Sequence, residues 1–341
     1  MSTRYTIGII DPQFSDDLSL EERVAAGVAQ VVTLRPDELD TRAAELAELD
    51  GIVHCRSRSK LSAALIERMP RLKIVVQAGV GTDHIDLPAC SRRNVPVCNV
   101  PDYGTREIAD HAITLMLTLR RGIAAYDERI RQGQWSPFTL AGAPISRVAG
   151  QTLGIVGLGS IGMALALRAK AFGMRVMFHD PFAVPGQDLA LGLDKAPSLH
   201  ALLAASDVIS LHCPLTPGTR GLINAQAISH CRTGALIINT ARGEVVDLDA
   251  LHDGLKSGQL GGAGLDVLPK EPADRDHPLI AAWAARAPWL EGRLLLTPHA
   301  AFFSPQSVED LRRLAITTVV DFLKDGTLRA CLNARECHGA G

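Results

Sequence analysis

Three short segments of this 341-residue chain carry side chains able to do chemistry, and each follows a run that reads as a strand. Asn239-Thr240-Ala241-Arg242-Gly243 offers a guanidinium, whose planar fork matches a carboxylate. Leu268-Pro269-Lys270-Glu271-Pro272 offers a carboxylate. Thr297-Pro298-His299-Ala300 offers an imidazole that can exchange a proton near neutral pH. Singly, each has a plainer reading: a surface ion pair, a loop glutamate, a histidine that bonds locally. Function concentrates on such loops, and ligands of open α/β sheets bind beyond the carboxyl ends of the strands. The three segments would converge there. Arg242 would bind an anion, His299 would move a proton, and a carboxylate beside the ring would fix it and favour the imidazolium.

A fourth segment, Gly157-Leu158-Gly159-Ser160-Ile161-Gly162, has the spacing of a dinucleotide-binding turn. Alone, that spacing is a weak signal. Here a strand-like run precedes it and a helical run follows. A second strand ends in Asp180, 18 residues after Gly162. Gly157 permits the tight turn, Gly159 lets the backbone approach a pyrophosphate at the helix N-terminus, and Gly162 lets helix and strand pack closely. A carboxylate at Asp180 can accept from a ribose diol and repels a 2′-phosphate, which favours NAD over NADP. The plainer alternative is a glycine turn in some other α/β sheet, with Asp180 capping a strand end.

The elements that must position these groups alternate in type. Tyr5–Asp11, Gly51–His54, Leu72–Ala78 and Val95–Val100 read as strands, with helical spacing over Asp37–Leu49 and Leu61–Arg68. Glu107–Arg131 reads as one long helix whose apolar stripe is Leu115, Met116, Leu119 and Ile123. A looser stretch, 132–147, holds Trp135 and Phe138. Six further strands follow: Thr152–Leu158, Arg175–Asp180, Asp207–Cys213, Ala235–Thr240, Gly262–Val267 and Arg293–Pro298. Helical stretches fall at Ser160–Phe172, Leu248–Lys256 and Ser307–Lys324. Strands alternating with helices imply parallel sheets covered on both faces, and six such strands complete a doubly wound unit.

Composition narrows the function. With 47% apolar and 21% charged residues and a net charge of −2, the chain is ordinary globular material. It has no basic excess to hold a nucleic-acid backbone. Residues 1–50 carry 11 acids and 4 bases, an acidic and solvated face. Seven cysteines, an odd number with no CxxC pair, argue against a disulfide framework or a zinc site and fit a reducing cytoplasm. The N-terminus has no signal-peptide pattern. Val148–Leu167 is uncharged and long enough to span a bilayer, yet its five glycines read better as strand, turn and helix.

The chain resembles the NAD-dependent D-2-hydroxyacid dehydrogenase family, which includes phosphoglycerate dehydrogenases, glyoxylate reductases and the C-terminal-binding-protein corepressors. The likeness runs from about residue 50 to 325. It is carried by GLGSIG at 157–162, HDP at 179–181, HCPLT at 212–216, NTARGEVVD at 239–247, GLDVLPKEP at 264–272 and TPHAA at 297–301. It implies an α/β protein with two doubly wound parallel-sheet domains, a Rossmann nucleotide-binding domain over 105–298 inserted into a flavodoxin-like substrate domain made of 1–104 and 299–341. It implies a homodimer, with a small 2-hydroxy or 2-oxo acid as substrate. By the same resemblance Arg242 binds the substrate carboxylate, His299 is the acid/base and Glu271 pairs with it to favour its protonated form. Asp266 would hold the nicotinamide. Ser160, Ile161, His212, Cys213, Pro214, Thr240 and Ala241 would line the cofactor, and the backbone N–H groups of Val80 and Gly81 would cradle the substrate carboxylate.

Cys55-Arg56-Ser57-Arg58-Ser59-Lys60 resembles the phosphate-holding segment of phosphoglycerate dehydrogenases. Arg56 either meets a distal substrate anion or pairs with the N-terminal acids. The chain lacks the regulatory C-terminal extension of many phosphoglycerate dehydrogenases, which counts against 3-phosphoglycerate as substrate. Tyr103 and Phe302 either wall the pocket or pack. Trp135 and Phe138 pack in a core or interface, or else Phe138 reaches a neighbouring subunit's site, as an aromatic there does in some relatives of the family. The competing reading is an NADH-sensing corepressor-like scaffold.

Overall fold

The computed structural model describes residues 5–13, 17–55, 60–138, 140 and 142–337. The chain divides into two compact units, Met1–Gly104 with Phe303–Gly341, and Thr105–Phe302. The second junction lies past the expected 298/299. The reason is local: the buried Asp266 carboxylate accepts the N–H groups of Ala300 and Ala301 and ties them to the second unit.

In the first unit, β1 (Tyr5–Ile10), β2 (Ala29–Leu34), β3 (Gly51–His54), β4 (Ile74–Gln77) and β5 (Val97–Cys98) form a parallel sheet in the order β2-β1-β3-β4-β5. This is the flavodoxin-like order. Sheets covered on both faces need strands that are apolar on both sides, and every residue of β3 and β4 is buried. Successive residues feed opposite faces. Val75 joins one core with Leu46, Leu49 and Ile66, whereas Ile74 and Val76 join another with Leu311, Ile316 and Val319. The last three belong to the helix Pro305–Asp325, opened by a Ser304–Ser307 capping box and closed at Gly326 in the left-handed conformation.

In the second unit, β6 (Thr152–Val156), β7 (Arg175–His179), β8 (Asp194–Lys195), β9 (Val208–Leu211), β10 (Ala235–Asn239), β11 (Leu260–Leu265) and β12 (Leu294–Leu296) are parallel in the order β12-β11-β10-β9-β6-β7-β8. Strand order reverses between β6 and β9, the switch point where a doubly wound sheet opens its crevice.

Two strands escaped the periodicity reading. Ala29–Leu34 is an edge strand with a half-buried pattern, and Asp194–Lys195 has only two residues, both exposed. The long helix is two, Thr105–Arg121 and Ile123–Arg131, because Gly122 adopts a left-handed φ of 64°. That break turns Ile123 out of the expected stripe to 59% exposure, while Leu115, Met116 and Leu119 stay buried. Val148–Leu167 forms a strand, a turn and part of a helix, and no helix among the described residues is long and apolar enough to cross a membrane.

Candidate active site

The carboxyl ends of β10, β11 and β12 present the chemistry-bearing segments side by side. At the end of β10 the fully buried Asn239 shapes its own turn. Its Nδ2 donates to Arg242 O (2.9 Å) and its Oδ1 accepts from Ala241 N–H (3.0 Å). These bonds fix the backbone that carries Arg242, which is half-buried and donates from Nη1 to Ala241 O at 2.8 Å. A Cβ on Gly243 would lie 1.9 Å from the carbonyl carbon of Leu268. Only glycine lets this turn lie against the segment that leads to Glu271.

Glu271 Oε1 accepts the Leu268 N–H at 3.1 Å, and Oε2 faces His299 Nδ1 at 2.8 Å. An ionised carboxylate only accepts, so the proton of this contact sits on Nδ1. Nε2 is then the nitrogen available for chemistry. Both side chains are about one-third exposed or less, 27% for His299 and 33% for Glu271. The pair is open enough for a substrate and enclosed enough for the charge contact to count.

Asp266 follows β11 and is 2% exposed. Its Oδ1 accepts from Thr297 Oγ1 (2.6 Å) and Ala300 N–H (2.8 Å), and its Oδ2 from Ala301 N–H (2.9 Å). Its backbone carbonyl accepts the His299 N–H at 2.7 Å. Asp266 therefore holds the loop that presents His299, a use the sequence reading did not assign to it. Sequence reasoning also passed over Asn239, Thr297 and His111, whose Nε2 lies 2.9 Å from Thr297 Oγ1. A signal for His111 existed: it falls between Ile108 and Leu115 at the border of an apolar stripe, where a polar residue needs a partner.

The glycine turn fits a dinucleotide. Gly157 has φ 93°, and a Cβ there would meet the backbone of His212 and Cys213 at 2.8 Å. A Cβ on Gly162 would lie 2.3 Å from Gly157 O. One on Gly159 would meet nothing within 4 Å among the described residues, which leaves open space in front of the helix Ser160–Ala171. Asp180 sits at the end of β7, accepting the Leu158 N–H on Oδ2 and the Phe182 N–H on Oδ1, both at 2.8 Å. It thus braces the turn as well as ending the strand. Thr240 is 8% exposed, and its Oγ1 is buried without a hydrogen-bond partner among the described residues. An orphaned hydroxyl beside Ala241 and Arg242 is what a site for a polar cofactor group leaves when described alone.

Ser160 and Ile161 open the helix at the turn. His212 Nε2 contacts Ser210 Oγ at 2.8 Å, and the protein around the half-buried residue pushes its pKa down to about 4. Burial pushes the Cys213 thiol up to about 11, so it stays protonated and unreactive at neutral pH. Pro214 O accepts from Thr219 Oγ1 at 2.6 Å and holds the following loop.

The first unit carries its own candidates. Arg56 lies outside the described residues. Val80 is 40% exposed, its carbonyl accepts from Asn99 Nδ2 at 2.8 Å, and Gly81 is half-buried. Tyr103 packs against the core of this unit. In the second unit Phe302 is half-buried, whereas Trp135 and Phe138 are 86% and 92% exposed, which rules out the core reading for both. Among the described residues no group of three or more His, Cys, Asp or Glu could hold a metal ion.

Residues 113–301 match the family described as D-isomer specific 2-hydroxyacid dehydrogenase, NAD binding domain. The chain is 33% identical to D-3-phosphoglycerate dehydrogenase of Archaeoglobus fulgidus over 92% of this chain and 55% of that one. It thus spans about half the length of the phosphoglycerate dehydrogenases it matches. It is 37% identical to (S)-sulfolactate dehydrogenase of Chromohalobacter salexigens over 89% of this chain and 97% of that one. Its fold superposes on D-lactate dehydrogenase of Aquifex aeolicus, solved with NAD and lactic acid, with a TM-score of 0.80, 28% identity and coverage of 94% and 96%. The chain belongs to the D-2-hydroxyacid dehydrogenase family, and its second unit contains the NAD-binding domain.

Proposed function

We propose that the protein interconverts a small D-2-hydroxy acid and the corresponding 2-oxo acid with NAD as redox partner. The observation that carries this reading is the 2.8 Å contact of His299 Nδ1 with Glu271 Oε2, on loops packed against the turn of Arg242. A nicotinamide dinucleotide, when bound, supplies or accepts the hydride at the substrate's C2. Arg242 pairs with the substrate carboxylate and stabilises charge developing on the 2-oxygen. His299 gives its Nε2 proton to that oxygen during reduction and takes it back during oxidation. Glu271 holds the ring by Nδ1, which leaves Nε2 as the nitrogen that exchanges the proton.

The glycine turn with Ser160 and Ile161, the walls formed by His212, Cys213 and Pro214, and the Thr240–Ala241 pair are the residues that would hold the cofactor. Asp180 favours NAD over NADP. The first unit is read as the substrate domain, in which the backbone N–H groups of Val80 and Gly81 are the candidates to meet an anion. Relatives are named for glycerate, glyoxylate and sulfolactate, all small acids, which supports a small anionic substrate. A cytoplasmic homodimer completes the proposal, supported by free cysteines and by the exposed aromatic residues of the second unit. No feature of the described residues favours the corepressor reading.

The test is to mix the protein with NADH and, separately, glyoxylate, hydroxypyruvate, pyruvate, a bulky aromatic 2-oxo acid, 3-phosphohydroxypyruvate and 3-sulfopyruvate, following the nicotinamide absorbance. Oxidation with one of them supports the reading. NADH binding without oxidation by any overturns it.

A further inference from the structure

We infer that His111 is a positioning residue for His299, acting through Thr297 and Asp266. The inference rests on the reading of His299 as the acid/base group. His111 sits mid-way along the helix Thr105–Arg121, with its Nε2 2.9 Å from Thr297 Oγ1. Thr297 Oγ1 is in turn 2.6 Å from Asp266 Oδ1. An ionised carboxylate only accepts, so the single hydroxyl proton of Thr297 is committed to that short bond. The threonine oxygen then accepts from the ring, and His111 must carry a proton on Nε2. With the other tautomer, two lone pairs would face each other across the same gap. The direction of donation is thereby fixed, from His111 to Thr297 to Asp266.

This orientation matters because of what else Asp266 holds. Its three acceptor atoms take the N–H groups of His299, Ala300 and Ala301 at 2.7, 2.8 and 2.9 Å. These bonds keep His299 at φ 56°, a left-handed conformation that a non-glycine residue keeps only when its surroundings over-determine it. Relaxation of that turn swings the ring away from Glu271, and a displacement of about 1 Å can lower a rate about 100-fold. The donor comes from a rigid support, since Ile108, Ala112 and Leu115 of the same helix are buried. A histidine bonded for stability alone would lower the melting temperature without a specific effect on turnover.

The experiment compares His111→Phe, which removes the donor, with His111→Gln, which keeps a side-chain N–H. His111→Phe is also made in a His299→Ala background. Turnover of the best 2-oxo acid, NADH affinity by fluorescence and Tm are measured. His111→Phe is expected to lower kcat by about 10- to 100-fold with little change in NADH affinity, and His111→Gln to recover most of it. In the His299→Ala background it is expected to do nothing further, because its effect passes through the missing ring. Wild-type turnover by His111→Phe, equal fractional losses in both backgrounds, or no rescue by glutamine would each overturn the inference. If His111→Phe does not fold, Thr297→Val against Thr297→Ser decides, with loss expected only for valine. A wild-type protein that turns over no 2-oxo acid sinks the reading of the site and the inference together. Active wild type with unaffected variants sinks the inference alone.

Discussion

Glu271 divides its two oxygens between His299 Nδ1, at 2.8 Å, and the backbone N–H of Leu268, at 3.1 Å. Leu268 is also the residue against which Gly243 is pressed. The loop of the proton-transfer pair and the turn of Arg242 are therefore one packed body, and disturbing either moves both.

Removing the ring tests the chemistry directly. His299→Ala is expected to lower kcat by roughly 100- to 10,000-fold while NADH still binds. Glu271→Gln keeps the shape and an acceptor for Nδ1 but removes the charge, so its loss is expected to be smaller, roughly 10- to 100-fold. Near-normal turnover in His299→Ala would take that residue out of the mechanism.

The two glycines of the turn should fail differently. Gly162→Ala forces a Cβ to 2.3 Å from Gly157 O and is expected to destabilise the fold by about 1–3 kcal/mol, read from its denaturant midpoint. Gly159→Ala meets no atom within 4 Å and has an ordinary extended φ of −76°, so its Tm should hold. Its NADH affinity should nonetheless fall, because the added methyl occupies space the cofactor needs. Unchanged NADH affinity there would argue against this turn as the pyrophosphate site.

Asp180 sets two expectations at once. Asp180→Ala is expected to lower the ratio of kcat/KM for NADH over NADPH by about tenfold or more, since one good charged contact is worth that much. Losing the acceptor for the Leu158 N–H should also cost some stability. A ratio that stays put would separate Asp180 from cofactor choice.

Acid should weaken the fold through His212, whose pKa burial pushes down to about 4 from an ordinary value near 6.5. Between those values the unfolded chain binds the proton and the folded one does not. Stability is therefore complete above about pH 6.5 and declines as pH falls toward about 4, by about 3 kcal/mol at most. His212→Gln should flatten the fall in denaturant midpoint between about pH 7 and 5. A variant that loses stability as steeply as the wild type would assign the acid sensitivity elsewhere.

The exposed apolar side chains Ile123, Ile130, Trp135, Phe138 and Ile145 belong to one short stretch of chain. If that stretch meets a second copy, Trp135→Glu with Phe138→Asp should convert the dimer to a monomer by light scattering. A wild-type mass of a single chain at micromolar concentration would refute the dimer.

Much of this was legible because the signals were local. Glycines at 157, 159 and 162 announce their turn by spacing, and β6, β9 and β10 are short, largely apolar runs followed by Gly157, His212 and Thr240. What was not legible depended on partners distant in sequence. The apolar period ran through Gly122, whose left-handed φ broke the helix and turned Ile123 to solvent. Asp266 reads as a cofactor residue by its motif, and its bonds to Thr297, Ala300 and Ala301 were not legible because those partners lie some thirty positions later. The β8 strand has too few residues to show any period.

The first unit is built from the two ends of the described chain, and its helix Pro305–Asp325 supplies Leu311, Ile316 and Val319 to the core of β3 and β4. On the ribosome, therefore, the opening strands cannot close their core when they emerge. The whole second unit is synthesised and free to fold first. Until the helix arrives, the apolar face of Ile74 and Val76 stays uncovered, so the window for misassociation opens when β4 is made and closes when Pro305–Asp325 is.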